Sequence, residues 1–274
     1  MTSPDWGLAG SNVLVIGGGQ GIGESTALAL AGLGCGVAVL DVELSRAETV
    51  AQQVRALGST AVAVSADVLD EAQLRAAIGD AWNGLGSLDG MISIVGAAAW
   101  APMIDMSTAI WDLDHQRNLR YFFIAAQEVA RRLTSAGRSG SIVGVTSIDG
   151  IQSAPYHGAY GAAKAGLVNL VRTMAAEWAP IGLRVNAIAP GPIVTPRIPQ
   201  GTPEEERARA GRTPAGRRGL PADVANAAVF LLSPLSAYVT GQTLAVDGGA
   251  TAVGPIDYYS VAQEVGAAGT FGMG

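Results

Sequence analysis

The stretch Asn12 to Asp41, NVLVIGGGQGIGESTALALAGLGCGVAVLD, decides the fold. Its first five residues form a short apolar run closed by glycines, which reads as a buried strand. Ile22 to Leu33 has helical composition and stops at Gly34, and Val37 to Leu40 is a second buried strand. Strand, glycine turn, helix and strand in so short a span are the opening of a doubly wound sheet. The turn, Gly17 to Gly23, reads GGGQGIG and spaces its glycines as Gly17-x-x-x-Gly21-x-Gly23. Glycine permits positive φ and lets a pyrophosphate approach the main chain. The helix that follows offers free N–H groups and a positive dipole end to that phosphate. A glycine turn also serves packing alone. Its place after the first strand and at the opening of the first helix is what makes it a nucleotide-site candidate.

Outward from this unit the alternation continues. Arg46 to Leu57 is an amphipathic helix, Thr60 to Ser65 a strand, Glu71 to Trp82 a helix and Met91 to Val95 a strand. A long helix covers Trp111 to Leu133, Ser141 to Val145 is a strand, Tyr160 to Trp178 a helix and Leu183 to Ile188 a strand. Asp223 to Leu232 is a helix and Thr243 to Val246 the last strand. Strands without a polar side need cover on both faces of the sheet. The expectation is therefore an α/β protein, a doubly wound, mostly parallel, Rossmann-like sheet in a single domain over 1–252. Pro190 to Leu220 interrupts the alternation, is rich in Pro, Gly, Arg and Glu, and reads as a substrate lid at 196–216 with a short helix at Glu204 to Ala210. The tail, 253–274, is rich in Gly and Ala and carries Tyr258, Tyr259 and Phe271. It reads equally as a frayed end or as a segment that packs on a neighbouring subunit.

Composition narrows the function classes. Formal net charge is −6 and no basic run exists, which argues against nucleic acid or an anionic membrane as partner. No long apolar stretch suits a membrane span. The opening MTSPDWGLAG lacks the basic and apolar regions of a signal peptide. The single cysteine, Cys35, has no disulfide partner, and it and the two histidines offer no metal-ligand cluster. A cytoplasmic enzyme without a metal fits these features.

Lys164 is the one lysine in the chain, every other basic side chain being arginine. Lysine's ammonium is compact and its pKa can be tuned, whereas arginine stays charged. Tyr160 precedes it by one helical turn, so the two share a face. An ammonium beside a phenol favours phenolate, pulling a group of ordinary pKa about 10 towards working pH. The pair is thus a candidate general acid/base, although a surface lysine lying along a tyrosine gives the same short pattern. Asp41 ends the second strand, where a carboxylate can accept hydrogen bonds from the adenosine ribose and repel a 2′-phosphate. The nearest arginine, Arg46, falls on the next helix, so the sequence favours NAD over NADP. The alternative for Asp41 is loop filler before a helix cap near Ser45.

In combination these motifs resemble the classical short-chain dehydrogenases/reductases over about residues 8 to 250. The glycine turn supplies Gly17, Gln20, Gly21, Ile22 and Gly23. Asp67 and Val68 match the family's Asp-Val beside the adenine. Asn118, in RNL on the long helix, matches the catalytic asparagine, and Ser147, in VTSIDG, has the family spacing before Tyr160. Ala189 to Thr195, APGPIVT, matches the segment that holds the nicotinamide carboxamide through Pro190, Gly191, Ile193 and Thr195, and Val246 to Gly249 matches the end of the last strand. Two positions depart from the pattern. Ile16 stands where the family has threonine, and Ser93-Ile94-Val95-Gly96 replaces the Asn-Asn-Ala-Gly that braces the central sheet on its cofactor side.

The resemblance implies hydride transfer between NAD and a secondary alcohol or ketone. Tyr160 would exchange the hydroxyl proton, Ser147 hold the substrate oxygen, Lys164 lower the phenol pKa and bond the nicotinamide ribose, and Asn118 hold a water linking Lys164 to solvent. Relatives pair through the helices at 111–133 and 160–178, which implies a homotetramer. The expected pocket runs along Ala97 to Met103, Ile148 to His157 and the lid. Trp100, Met103, Ile151 and Tyr156 suit a bulky, mostly apolar cyclic, terpenoid or steroid-like alcohol, and His157 reads either as a contact to a polar group of the substrate or, the favoured reading, as a solvent-exposed loop residue. The alternatives are a 3-oxoacyl thioester reductase and a catalytically silent nucleotide-sensing protein.

Overall fold

The computed structural model describes residues 6–210 and 213–253. The tail reading at 253–274 therefore lies, beyond Val253, outside the described residues. Seven strands form one parallel sheet in the order β3-β2-β1-β4-β5-β6-β7. They are β1 (Asn12–Ile16), β2 (Gly36–Asp41), β3 (Ala61–Ser65), β4 (Gly90–Ser93), β5 (Gly140–Val145), β6 (Leu183–Pro190) and β7 (Thr243–Val246). The helices between them are α1 (Gly21–Ala31), α2 (Leu44–Ala56), α3 (Glu71–Leu85), α4 (Thr108–His115), α5 (Tyr121–Ser135), α6 (Gly158–Trp178), α7 (Pro203–Ala210) and α8 (Pro221–Leu232).

Side-chain alternation along the strands explains why no strand shows a polar face. In β1, Leu14 and Ile16 point into one core with Tyr121 and Phe122 of α5 and Leu167 of α6. Val13 and Val15 point into the other, with Leu30 of α1, Val50 of α2 and Val224 of α8. Both faces are covered by helices, as a parallel sheet requires. Strand order reverses between β1 and β4, and in such sheets the crevice at the carboxyl ends of those strands is the ligand site. Cys35 is buried, and burial pushes its thiol up to about 11, the behaviour of a packed apolar residue. Among the described residues no helix is long and apolar enough to cross a membrane, and no group of acidic, histidine or cysteine side chains is placed to hold a metal.

The long helix expected at 111–133 is present but not uniform. α4 and α5 are joined by a single π-helical turn, Gln116–Arg120, so the run continues from Thr108 to Ser135 with a wider turn in its middle. That turn contains the buried Asn118.

Candidate active site

Six of the strands each bring a candidate residue to or just beyond their carboxyl end: Gly17 after β1, Asp41 ending β2, Asp67 after β3, Gly96 after β4, Ser147 after β5 and Pro190 ending β6, whereas Asn118, Tyr160 and Lys164 stand on helices. The parallel sheet thus delivers these six to one edge.

The glycine turn is folded too tightly for side chains. Gly17 has φ +82, and a Cβ on Gly23 would lie 2.0 Å from the Gly17 carbonyl oxygen. Gln20 precedes α1 in extended conformation and makes no side-chain cap, which leaves first-turn N–H groups of α1 for a ligand. A backbone cradle without side chains, opening a helix, fits the diphosphate of a dinucleotide. Thr195 and Pro196 close over it, since a Cβ on Gly21 would lie 3.2 Å from Pro196 Cδ and 3.8 Å from Thr195 Cβ. Gly191 donates to the Val246 carbonyl, and Ile193 is bridged to Gly219, which ties the segment after β6 to its neighbours. Asp67 is exposed and caps its own turn by accepting from the Leu69 N–H, while Val68 is buried.

At the end of β2, Asp41 is buried and heavily engaged. Oδ2 accepts from the Gly19 N–H at 3.0 Å, and Oδ1 accepts from the Glu43 N–H and from Arg46 at 2.9 Å. Arg46 also pairs with Glu43. This corrects the expectation that the acid has no basic neighbour. Arg46 is indeed on α2, but in its first turn, where a helical side chain leans back towards the N-terminus and reaches the strand end. Asp41 is therefore no loop filler, since it joins the glycine turn to the start of α2.

Lys164 is fully buried on α6, and its Nζ donates to the Val145 carbonyl at 2.9 Å. It lies 5.6 Å from the centre of the Tyr160 ring. Asn118 holds its side-chain amide by donating to the carbonyls of Ala97 and Asp114, while its Oδ1 accepts from the Ala97 N–H. Over Gly96 the two side chains converge: a Cβ there would lie 2.9 Å from Asn118 Oδ1 and 3.0 Å from Lys164 Nζ. Only glycine leaves that space free. Ser147 accepts from the Asp149 N–H at 3.1 Å, and Gly150 lies against the Lys164 main chain, so the turn Ile148–Gly150 packs directly on α6.

The electrostatics differ from the expectation. Tyr160 is pushed up to about 12, by burial first and then by the carboxylates of Asp149 and Asp114, with Ser147 pulling the other way. Burial lowers Lys164 to about 7. A desolvated lysine near neutrality carries only part of its charge, and its ammonium is directed at a carbonyl, not at the phenol. The ammonium that the sequence invoked to favour phenolate is thus itself disfavoured.

Several functional groups escaped the sequence reading. Ser93 Oγ donates to Tyr121 Oη at 2.8 Å, and Tyr121 donates to the Val95 carbonyl at 2.7 Å. This buried chain braces β4 where the expected asparagines are missing. Asp114 is fully buried, accepts from the Ala99 N–H and pairs with Arg117 at 2.5 Å. Arg197, at the start of the lid, donates to the Gly96 carbonyl at 3.0 Å. Arg218 ties α7 to the body through Glu206 and the carbonyls of Ile198 and Pro199, and its hydrogen bonds pull Glu206 down to about 2. Of the two readings of His157, the solvent-exposed one is overturned: its side chain is 16% exposed, and Nδ1 faces Asp149 Oδ2 at 2.8 Å. A spacing argument along one chain does not see these partners. Trp100, Met103, Ile151 and Tyr156 are exposed.

Comparison with known proteins gives one consistent result. The family described as enoyl-(acyl carrier protein) reductase matches residues 17–251. The chain is 40% identical to a cis-4-hydroxycyclohexanecarboxylate dehydrogenase of Sinomonas cyclohexanicum, over 88% of this chain and 96% of that protein. It is 36% identical to 2-(S)-hydroxypropyl-CoM dehydrogenase 3 of Xanthobacter autotrophicus, with the same coverage. Among solved structures it is similar to a short-chain type dehydrogenase/reductase from Mycobacterium marinum, with TM-score 0.85 and 29% identity over 90% of this chain and 98% of that one.

Proposed function

Since the chain belongs to the short-chain dehydrogenase/reductase family and is an oxidoreductase of it, we propose that it interconverts a secondary alcohol and a ketone with NAD. The observation that carries this reading is the gathering of Ser147, Tyr160, Lys164 and Asn118 around the strand ends that flank the glycine turn. The nicotinamide supplies or accepts the hydride. Tyr160 gives its proton to the ketone oxygen in reduction and takes it from the alcohol in oxidation, and Ser147 holds that oxygen. Such a positioned acid or base contributes roughly 10²–10⁴-fold. With Tyr160 held protonated by burial, oxidation should quicken as pH rises. Lys164 and Asn118 hold the other side of the site, where Lys164 takes the nicotinamide ribose.

The cradle at Gly17, Gln20, Gly21, Ile22 and Gly23 takes the diphosphate, Asp67 and Val68 the adenine, and Gly96, Pro190, Gly191, Ile193 and Thr195 the nicotinamide half. NAD is preferred because a 2′-phosphate at the end of β2 would meet two carboxylates, Asp41 and Glu43, against one arginine already paired to both. The exposed ring of Trp100, Met103, Ile151 and Tyr156 suits a bulky apolar body on the substrate. A screen of cyclic and terpenoid secondary alcohols with NAD and with NADP, read at the absorbance of the reduced nicotinamide, tests the reading. Absence of turnover with every alcohol and ketone would reject it.

The functional unit is a homotetramer paired through α5 and α6. Leu119, Phe123, Gly166 and Leu170 line an open apolar groove between these helices, and Phe123 is 42% exposed. Sedimentation should show a tetramer at micromolar protein, and a monomer there would overturn the assignment.

A further inference from the structure

His157 immediately precedes α6, three positions before Tyr160, and the two rings stand edge to face with centroids 5.8 Å apart. Its direction is fixed from two sides. Asp149 holds Nδ1, and Asp149 itself sits on the turn that begins at Ser147. On the other side, Tyr156 has φ +69, the only positive φ outside glycine among the described residues, and its carbonyl accepts from the Ala101 N–H. A carboxylate accepts only, so the ring proton belongs on Nδ1 and Nε2 is left as an acceptor in the neutral imidazole. That Nε2 is buried and has no partner. A buried acceptor left unpaired is unfavourable, and native proteins keep such atoms where a ligand completes them. The indole of Trp100 packs against the imidazole with ring centroids 3.8 Å apart, and Trp100 is itself 73% exposed. An exposed side chain is thus part of what packs on the imidazole.

We propose that the Asp149–His157 pair is a second polar recognition point of the substrate cleft. It accepts a hydrogen bond from a hydroxyl that the substrate carries in addition to the carbinol that reacts. The substrate class is then a neutral diol or hydroxyketone with an apolar body, not a simple alcohol. Charge favours a hydroxyl over an anionic group. His157 faces the Asp149 carboxylate and the Tyr160 phenol, and Asp114 adds a second carboxylate on the Tyr160 side. The inference rests on the alcohol-oxidoreductase reading above and narrows it.

The test compares cyclohexanol, the 1,2-, 1,3- and 1,4-cyclohexanediols and 4-hydroxycyclohexanecarboxylate as probes, with the full chain and its nicotinamide cofactor. At least one diol should exceed cyclohexanol in kcat/KM by about tenfold, and H157F should erase that ratio. D149A keeps the nitrogen but releases the ring, so it should lower the ratio by a smaller factor. Ligand-observed NMR with cofactor present supplies a readout independent of turnover. Diol binding that depends on His157 in a protein that oxidises none of the probes would keep the inference and reject the activity. Oxidation of all the alcohols without a diol preference, or with a preference that survives H157F, would overturn the inference and keep the activity. Preference for the carboxylate, lost in H157F, would overturn the hydroxyl assignment.

Discussion

Two carboxylate–base pairs stand at the strand ends of this sheet, and they are finished differently. Asp41 and Arg46 form a closed pair: the acid accepts from two main-chain N–H groups and the arginine, and the arginine has a second carboxylate in Glu43. Asp149 and His157 form an open one, with Nδ1 held and Nε2 buried without a partner. A satisfied pair fixes backbone, here the glycine turn against α2. An unsatisfied pair in the same fold waits for a ligand atom. On the function proposed above, the difference separates a half that binds the cofactor from a half that chooses among substrates.

The strongest way to break this division is Y160F. The phenol belongs to the open half, and no contact of the closed half uses its oxygen. Turnover should fall by roughly 10²–10⁴-fold while NAD affinity by calorimetry stays near that of the parent. Loss of NAD binding would show that the halves are not separable. Next in size is D41A, which opens the closed pair. NAD affinity should fall by about tenfold or more, the usual consequence of losing charge-assisted hydrogen bonds. Arg46, now released from one of its acids, should let NADP bind better than in the parent. Unchanged NADP affinity would mean that Arg46 does not face the adenosine.

The smallest effect sharpens the boundary between the halves, where Lys164 lies. Burial lowers it to about 7, whereas the unfolded chain keeps that proton up to the ordinary lysine value. The folded protein without cofactor should therefore gain stability as pH climbs from about 7, and lose that gain as pH falls back through it. Melting temperatures of the parent and K164M at about pH 6 and about pH 9 read this linkage, with an expected relative gain for the parent of a few degrees. Parallel behaviour of the two proteins would refute the lowered value.

Features set by local sequence were legible before the structure. The glycine turn, the buried strands and the Tyr160–Lys164 pair are periodicities and short spacings, and each element appears within a few residues of its expected limits. What escaped depends on the reach of a side chain across the fold. Arg46 leans back to Asp41, His157 turns in to Asp149, and Tyr121 takes over the bracing of β4 from a different helix. The protonation of Tyr160 escaped for a related reason. A pattern gives neighbours, but burial of both partners decides which of them keeps its charge.

The π turn at Gln116–Arg120 carries one residue more than a regular helix needs at that place. It works as a phase shifter. Upstream, Asp114 is oriented to the Ala99 main chain, and downstream Tyr121 and Phe122 are oriented to the sheet core. Each residue of a regular helix advances the face by about 100°, so one continuous α-helical phase cannot serve both orientations. Deleting a single residue here would heal the helix and swing one set of side chains out of place by that angle. A gap at this position in a related chain would therefore mark a protein that has kept the fold and given up the placement of Asn118 relative to Tyr121.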